Sequence, residues 1–189
     1  AALARVDGEG VTVEAPQPRW RRIGPTAEPA PEPVERSEAL WVYDAAGGRA
    51  YLFGGHDESE TACGAGEGEQ CADLWVWETA SRTWTQIFPV LPGAPWPSPR
   101  ARITGTFDQG RGRLVVFGGR DDSKSCTGGA NDTCNDLWEF EPVTGEWTQR
   151  KPLNDASPWP SGRVFPGLTY DPQADRVLLF GGKDVQEKC

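Results

Sequence analysis

The sequence predicts an all-β protein assembled from a repeated unit of four short strands. Its 189 residues include 23 glycines and 17 prolines, a content that suits a fold with many turns. Helical periodicity of useful length is absent, whereas short apolar runs bounded by turn residues recur along the chain. The nine tryptophans are far above ordinary usage, and several of them return at a constant spacing. An internal repeat is therefore the main evidence for the fold.

The repeat is visible in three segments that begin with arginine and end in a glycine pair. Residues 36–55, 100–119 and 163–182 align with one another, and residues 71–87 align with residues 134–150. The paired glycines recur every 63 or 64 residues, and the same spacing separates Trp20, Trp84 and Trp147.

Each period contains four predicted strands. The first, as in ITGTFD, ends at an Asp-containing turn, and the second, as in RLVVFGG, is a continuous apolar run typical of a strand buried on both faces. The third strand, as in DLWEFE, alternates, and the fourth, as in EWTQR, lies at the edge.

The glycine pair after an apolar strand, followed by NDLWEFEPVTGEW, resembles the kelch repeat in its secreted, disulfide-containing variety. The resemblance covers nearly the whole chain and implies a β-propeller of four-stranded blades, similar to those of the galactose oxidase central domain. This chain would supply about three blade-equivalents of a six- or seven-bladed ring. They are an outer half-blade with a linker (1–35), two blades (36–99 and 100–162) and an incomplete inner half-blade (163–189).

Three blade-equivalents would leave apolar faces open at both ends, so we expect a partner that completes the ring. Either a second copy of the chain or remaining blades on a second polypeptide could do this. Cys189 follows Cys126 by 63 residues, so its expected disulfide partner lies about eight residues beyond the end of the sequence. That position favours the second polypeptide, from a cut or truncated chain.

The other four cysteines form two pairs with the same spacing, in the loops between second and third strands. Cys63 and Cys71 are eight residues apart, as are Cys126 and Cys134, so we expect one local disulfide bond in each loop. Disulfide bonds indicate an oxidising location, namely secreted, periplasmic or cell-surface. Zinc is the competing interpretation, but the spacing is not CxxC and the single histidine, His56, stands alone.

The net charge of −9 and the pI near 4.7 argue against nucleic acid and against an anionic membrane surface as partners. No apolar stretch is long enough to span a bilayer. No signal peptide is visible at the start, which is consistent with a mature chain or a fragment.

Strand parity places the loops after second strands and the connections after fourth strands on one face of the ring, called here the loop face. Candidate ligand contacts on it are Trp96, Trp159, Arg36, Arg100 and Arg163. Packing between blades is the alternative role for the tryptophans, and pairing with loop carboxylates is the alternative role for the arginines. We expect no cofactor. A calcium ion is a weak possibility at Asp121, Asp122, Asn131 and Asp132, whose spacing does not match an EF-hand.

Catalysis has little support, because the chain has one histidine and no recurrent nucleophile beside a base. The sequence therefore predicts a non-catalytic binding or scaffolding propeller that recognises a protein or a glycan. One alternative is the propeller part of an extracellular enzyme. Copper-radical oxidases with kelch-like propellers use paired histidines, so their catalytic residues would have to lie in other blades. Another alternative is a structural subunit of a surface assembly.

Overall fold

The computed structural model describes residues 3–7 and 10–14 as backbone, and residues 24–25, 31–57, 63, 70–126, 132–150 and 158–184 with their side chains. Three positions named above, Trp20, Asn131 and Cys189, lie outside the described residues. The described part of the chain forms strands and turns without a helix. Its strands are β1 (Leu3–Asp7), β2 (Gly10–Glu14), β3 (Arg36–Ser37), β4 (Leu40–Asp44), β5 (Arg49–Phe53), β6 (His56–Asp57), β7 (Leu74–Glu78), β8 (Thr83–Ile87), β9 (Thr104–Asp108), β10 (Arg113–Phe117), β11 (Leu137–Glu141), β12 (Glu146–Arg150), β13 (Arg163–Val164), β14 (Gly167–Asp171), β15 (Arg176–Phe180) and β16 (Lys183–Asp184).

Two four-stranded antiparallel sheets form the body of the protein. Strands β4, β5, β7 and β8 make the first blade, and β9, β10, β11 and β12 make the second, each in chain order. Strands β14 and β15 pair as the inner half of a third unit. The inner strands β4, β9 and β14 are neighbours in space, as the radial arrangement of propeller blades requires.

The N-terminal segment differs in one respect from the sequence prediction. The repeat predicts a third strand over residues 11–14 and a fourth near Trp20. Strand β2 is present, but it pairs with β1, which the repeat did not predict. Residues 3–7 have no counterpart in the aligned segments, so the pattern carried no signal for them.

The core lies between the first two blades. Tyr51 and Phe53 of the first blade face the second, where the Tyr51 ring stacks on Phe107 at 5.7 Å and the Phe53 ring lies 5.3 Å from that of Trp147. Burial is the main cause that raises the pKa of Tyr51 to about 12, so its hydroxyl is neutral inside the core. The buried cluster also contains Leu40, Val42, Leu74, Val76, Ile103, Leu114, Val116, Trp138 and Phe140.

The two repeated tryptophans differ in their surroundings. Trp147 is buried between the blades, where it contacts Phe53, Trp96 and Phe140. Trp84 is half-buried and packs against Trp41 and other tryptophans of its own sheet. This difference arises because Trp147 has a neighbouring blade on its side, whereas the described residues place none beside Trp84.

The glycine pairs allow the next blade to approach closely. Gly54 and Gly55 have φ angles of 63° and 107°, in the region that favours glycine. A Cβ on Gly54 would lie 2.6 Å from the carbonyl oxygen of Arg100. The N–H of Gly55 donates to that same oxygen at 2.9 Å. Gly119 repeats this contact in the second blade, where its N–H donates to the carbonyl oxygen of Arg163 at 3.0 Å. The glycine pair of each complete blade therefore docks the start of the following unit.

Candidate interaction site on the loop face

The structure brings the loops after second strands and the connections after fourth strands to one face, as strand parity predicts. The indole N–H of Trp96 donates to the carbonyl oxygen of Ala72 at 2.7 Å. Ser98 Oγ donates to Asp121 Oδ2 of the second blade at 2.7 Å. The connection containing Trp96 and Ser98 therefore crosses from the loop of one blade to the loop of the next.

Arg100 is fully buried in this connection, and its five N–H groups are all used. The guanidinium donates to both carboxylate oxygens of Asp136, at 2.7 and 2.9 Å. Its other donors reach the carbonyl oxygens of Ser98 and Gly118 and the hydroxyl of Ser98. Trp138 Nε1 adds a further hydrogen bond to Asp136 at 2.7 Å.

Arg36 repeats this arrangement in the first blade. It donates to both oxygens of Asp73, at 2.6 and 3.0 Å, and Trp75 Nε1 donates to the same carboxylate. Arg163 makes the equivalent hydrogen bonds to uncharged groups: its guanidinium donates to the carbonyl and hydroxyl oxygens of Ser161 and to the carbonyl oxygen of Gly181. These contacts favour the structural interpretation of the arginines over a direct ligand contact.

The candidate tryptophans have a packing contact as well as a position on the loop face. Trp96 is half-buried against Trp147, with the ring centroids 6.0 Å apart. Trp159 donates to the carbonyl oxygen of Asn135 at 2.6 Å, and its ring lies 6.4 Å from that of Phe117. Each indole therefore closes the joint between two blades, and a role in ligand contact stays a prediction.

A groove of about 670 Å³ opens beside Trp96. The end of β8, the proline-rich connection after it, and the third and fourth strands of the second blade line it. Phe88, Pro89 and Trp96 contribute apolar walls, and Gln86 and Gln149 contribute amides. Phe88 and Leu91 of the same connection are 65% and 68% exposed. The repeat did not predict Phe88 and Leu91 as site residues, because the aligned connection of the next blade carries different residues at these positions.

Two disulfide bonds brace this face. Cys63 is bonded to Cys71 and Cys126 to Cys134, with Cα–Cα distances of 5.2 and 5.5 Å. The carbonyl oxygen of Cys71 accepts from the N–H of Arg100, and that of Cys134 accepts from the N–H of Arg163. Each disulfide therefore fixes the point where its loop contacts the start of the next blade.

Replacement of Cys126 and Cys134 with alanine is expected to lower the free energy of unfolding by about 2.5 kcal/mol, the chain-entropy value for so short a loop. The matched variant has alanine at Cys63 and Cys71. The disulfide that it removes closes a loop of the same length, so its free energy of unfolding should fall by a similar amount. Urea denaturation measures both losses. Losses near zero in both variants would contradict a stabilising role for the disulfides.

The carboxylates proposed for calcium are engaged by donors of the protein itself. Asp121 is fully buried and accepts from Ser98, Ser123, Ser125 and the N–H of Cys126. Asp122 and Asp132 flank Arg120, whose Nε lies 2.8 Å from an oxygen of each. A guanidinium thus lies between two of the oxygens that a cation would need. The calcium site stays a prediction that these contacts do not favour.

Asp121 also joins a set with Cys126 and Cys134 that has ligand atoms close enough for a metal. Both cysteines are bonded to each other, and a disulfide sulfur is not the thiolate that binds metals. The bond between Cys126 and Cys134 therefore favours the disulfide interpretation of these cysteines over the zinc interpretation.

The carboxyl group of Asp121 should make the free energy of unfolding depend on pH in the acidic range. Burial alone raises its pKa, but hydrogen bonds from Ser123, Ser98 and Ser125, together with Arg100, outweigh burial and lower it. The stabilisation from the ionised carboxylate is therefore complete above the pKa of the unfolded state, about 3.9. It is lost as the pH falls through the lower pKa of the folded state.

We expect Asp121→Asn to be less stable than the wild type at pH 7 and to lose less stability between pH 5 and pH 3. Urea denaturation at several pH values measures this, with the neighbouring exposed carboxylate variant Asp122→Asn as the control. Equal acid sensitivity of Asp121→Asn and the wild type would contradict the assignment.

A row of three residues with left-handed backbone lies at the starts of the inner strands. Glu38, Arg102 and Phe165 have φ angles of 55°, 58° and 53°. The N–H of Arg102 donates to the carbonyl oxygen of Glu38, and that of Phe165 donates to the carbonyl oxygen of Arg102. Arg102 Nε lies 3.0 Å from a Glu38 oxygen, and its guanidinium lies 5.6 Å from the centre of the Phe165 ring.

This row links three units and was not predicted from the sequence. The spacing of 64 and 63 residues was a signal, but the three side chains share no chemistry, so alignment did not reveal them. Non-glycine residues in this conformation are uncommon. Here the conformation recurs in three units that are linked by backbone hydrogen bonds, so the row joins the units, and none of its residues lines the groove beside Trp96.

Two four-stranded sheets pack side by side with their inner strands adjacent, and glycine pairs join them. This arrangement identifies the protein as part of a β-propeller. Residues 11–187 match the family model described as KLHDC2/KLHL20/DRC7 Kelch-repeats domain. The chain therefore belongs to the kelch-repeat family, as its resemblance to the kelch repeat indicated.

Individual relatives agree with this assignment. The chain is 30% identical over 152 residues to Kelch domain-containing protein 3 of Bos taurus, which covers 77% of this chain and 35% of that protein. It is 30% identical over 138 residues to Rho GTPase-activating protein gacHH of Dictyostelium discoideum, covering 73% of this chain and 8% of that protein. The chain thus spans about a third or less of these relatives.

A solved structure, titled Structure of YjhT, matches 82% of this chain and 36% of that chain with a TM-score of 0.53 and 19% identity. At that identity the match concerns the fold alone. None of the described residues forms a helix long and apolar enough to cross a membrane.

Proposed function

We propose that this propeller is a non-catalytic binding module that recognises a segment of another protein through its loop face. The observation that carries the proposal is the groove beside Trp96, which Phe88 lines, together with the exposed side chain of Leu91 on the same connection. Exposed apolar side chains beside a concave surface are typical of protein interaction sites. Membership of the kelch-repeat family also supports a role in protein binding.

The chemistry of the groove fits a peptide with apolar side chains. Phe88 and Trp96 supply aromatic surface, and Gln86 and Gln149 supply amides that can pair with a peptide backbone. The buried Arg100–Asp136 pair fixes one wall of the groove, so that wall does not have to be ordered when a ligand binds. These features favour a peptide over a glycan, which stays the second candidate ligand.

We further propose an extracellular location, which is supported by the two disulfide bonds. Structural disulfides are rare in reducing compartments, where glutathione and thioredoxin keep thiols reduced. Secretion or surface display places the groove where partner proteins of the same compartment can reach it.

Panning a displayed peptide library on the purified chain tests the proposal. We expect enriched peptides to bind the wild type and to lose about tenfold or more in affinity for a Phe88→Ser, Leu91→Ser double variant, because aromatic and apolar anchors dominate such interfaces. Fluorescence anisotropy with the enriched peptides measures the affinities.

The matched control is Val143→Ser, which removes a side chain that is 91% exposed in the β11–β12 turn. That variant should bind like the wild type. Enriched peptides that bind all three proteins equally would contradict a peptide site in the groove. Selective binding on a glycan array, lost in the double variant, would replace the peptide with a glycan.

A further inference from the structure

The aromatic and basic side chains that line the groove beside Trp96 already use their hydrogen-bond donors inside the protein. The indole N–H of Trp96 donates to the carbonyl oxygen of Ala72, and that of Trp138 donates to Asp136, each at 2.7 Å. Arg100, which also lines the groove, makes five hydrogen bonds with its five N–H groups. A ligand in the groove therefore meets the faces of these indoles rather than their N–H groups.

The hydroxyl groups and the prolines of the same walls add to this shortage of donors. Ser98 and Ser125 each donate to the carboxylate of Asp121, at 2.7 and 2.9 Å. A backbone N–H is absent at the three prolines of the lining, Pro89, Pro97 and Pro99. Within the described lining, only the amides of Gln86 and Gln149 add side-chain donors to those already accounted for. The groove thus suits a ligand that brings donors of its own.

The walls of the groove also carry acceptors. The carboxylates of Asp73 and Asp136 line it together with the guanidinium of Arg100. Asp73 Oδ1 accepts one N–H from Arg36, and Asp136 Oδ1 accepts one from Arg100, at 2.6 and 2.7 Å. A carboxylate oxygen can accept two hydrogen bonds, so both walls keep acceptor capacity for a donor of the ligand.

A smaller cavity of about 220 Å³ adjoins the groove, because Pro89 and Trp96 line both. Glu146, an exposed carboxylate, lies in the wall of this second cavity. The chain as a whole has a net charge of −9. Both the local carboxylates and the overall charge attract a cationic ligand and repel an anionic one.

Aromatic rings supply the remaining surface that a cation needs. Phe88, Trp96 and Trp138 line the groove, and Phe88 is 65% exposed. The negative face of an aromatic ring attracts a guanidinium or an ammonium group, and the apolar stem of the same side chain packs on the ring. Arginine and lysine therefore match the donors, the charge and the aromatic surface of this groove together.

We propose that the groove selects peptides with an arginine or lysine side chain, which packs on Phe88 and Trp96 and donates to the acceptors of the walls. Apolar neighbours of that residue in the peptide contact Leu91. Glu146 contributes the exposed negative charge of the adjoining cavity. This inference rests on the proposed function, because it names the side chain that the peptide site recognises.

Two displayed random peptide libraries, one with all residues and one without lysine and arginine, test the inference when panned in parallel on the purified chain. Groove-dependent clones are those that no longer bind the Phe88→Ser, Leu91→Ser double variant. We expect such clones to come from the first library and to contain a basic residue. Synthetic versions are acetylated, so that the amino terminus of the peptide does not supply the cation.

Replacing the basic residue of a selected peptide with citrulline or acetyl-lysine should lower its affinity by about tenfold, since charge, cation–π contact and charge-assisted hydrogen bonds are lost together. Phe88→Leu keeps an apolar side chain but removes the ring. It should weaken binding of the basic peptide by about threefold and leave the neutral version almost unchanged. Fluorescence anisotropy measures each affinity.

Glu146→Gln should weaken binding of the basic peptide by about threefold at low salt and by less at high salt, because an exposed charge is screened. The matched control is Glu35→Gln, which changes an exposed carboxylate outside both cavities and should leave the affinity as in the wild type.

The outcomes separate this inference from the proposed function. Groove-dependent peptides without a basic residue, or with one that citrulline replaces without loss, overturn the inference and leave the peptide site in place. A Phe88→Leu variant that weakens the basic and neutral peptides equally also overturns it. If neither library yields a groove-dependent clone, the proposed function fails and this inference fails with it.

Discussion

Replacing Arg100 with alanine is expected to lower the free energy of unfolding by about 3–5 kcal/mol. The change removes the two guanidinium N–H groups that donate to the buried carboxylate of Asp136 and leaves the hydrogen bond from Trp138 Nε1. It also removes the donors to the carbonyl oxygens of Ser98 and Gly118, which join the connection to the glycine pair. The loss is large because an unpaired charge in the interior carries its full desolvation cost.

The control for this prediction is Arg49→Ala. Arg49 and Glu78 form a half-exposed pair at 3.8 Å, and exposed pairs contribute less than about 1 kcal/mol. Urea denaturation followed by tryptophan fluorescence measures both variants. Equal losses would show that Arg100 does not act through its buried pair. The double variant Arg100→Leu, Asp136→Leu should recover part of the loss, since it removes the unpaired charge.

Replacing Trp147 with alanine is expected to cost about 3–5 kcal/mol, the range for large aromatic residues in cores. Trp147 fills the space between the first two blades and contacts Phe53, Trp96 and Phe140. Its truncation would create a cavity bordered by both sheets, which neither sheet can close without moving the other.

Trp84 occupies the same place in the preceding repeat and is the matched control. It is half-buried and packs on its own sheet, so Trp84→Ala should cost about half as much or less. Denaturation of both variants under one set of conditions measures the difference. Equal costs would contradict the conclusion that the blade interface, rather than the repeat position, determines the contribution of the tryptophan.

Much of the fold could be predicted because it is repeated. The aligned FGG and DLW segments predicted the second and third strands, and β5, β7, β10 and β11 lie there. Strand β1 could not be predicted, because a segment without a second copy in the chain has no pattern to compare.

The site was predictable only in part. The recurrence of Trp96, Arg100 and their equivalents located the loop face, but recurrence does not distinguish a ligand contact from a packing contact. The hydrogen bonds of Arg100 to Asp136 connect residues 36 positions apart, across a loop whose path the sequence does not specify. Phe88 and Leu91 were missed because exposure of an apolar side chain depends on what lies around it.

By itself, the sequence determined the strand pattern, the kelch repeat and the cysteine pairs, because local patterning and repetition are properties of the chain alone. The tertiary structure decided which repeated residues are structural: Arg100 is buried and paired, whereas Arg163, at the same repeat position, has no carboxylate among the described residues. The two arginines differ because burial and pairing depend on the neighbouring strands. In the second blade β11 is present beside β10, and at β15 no third strand is described.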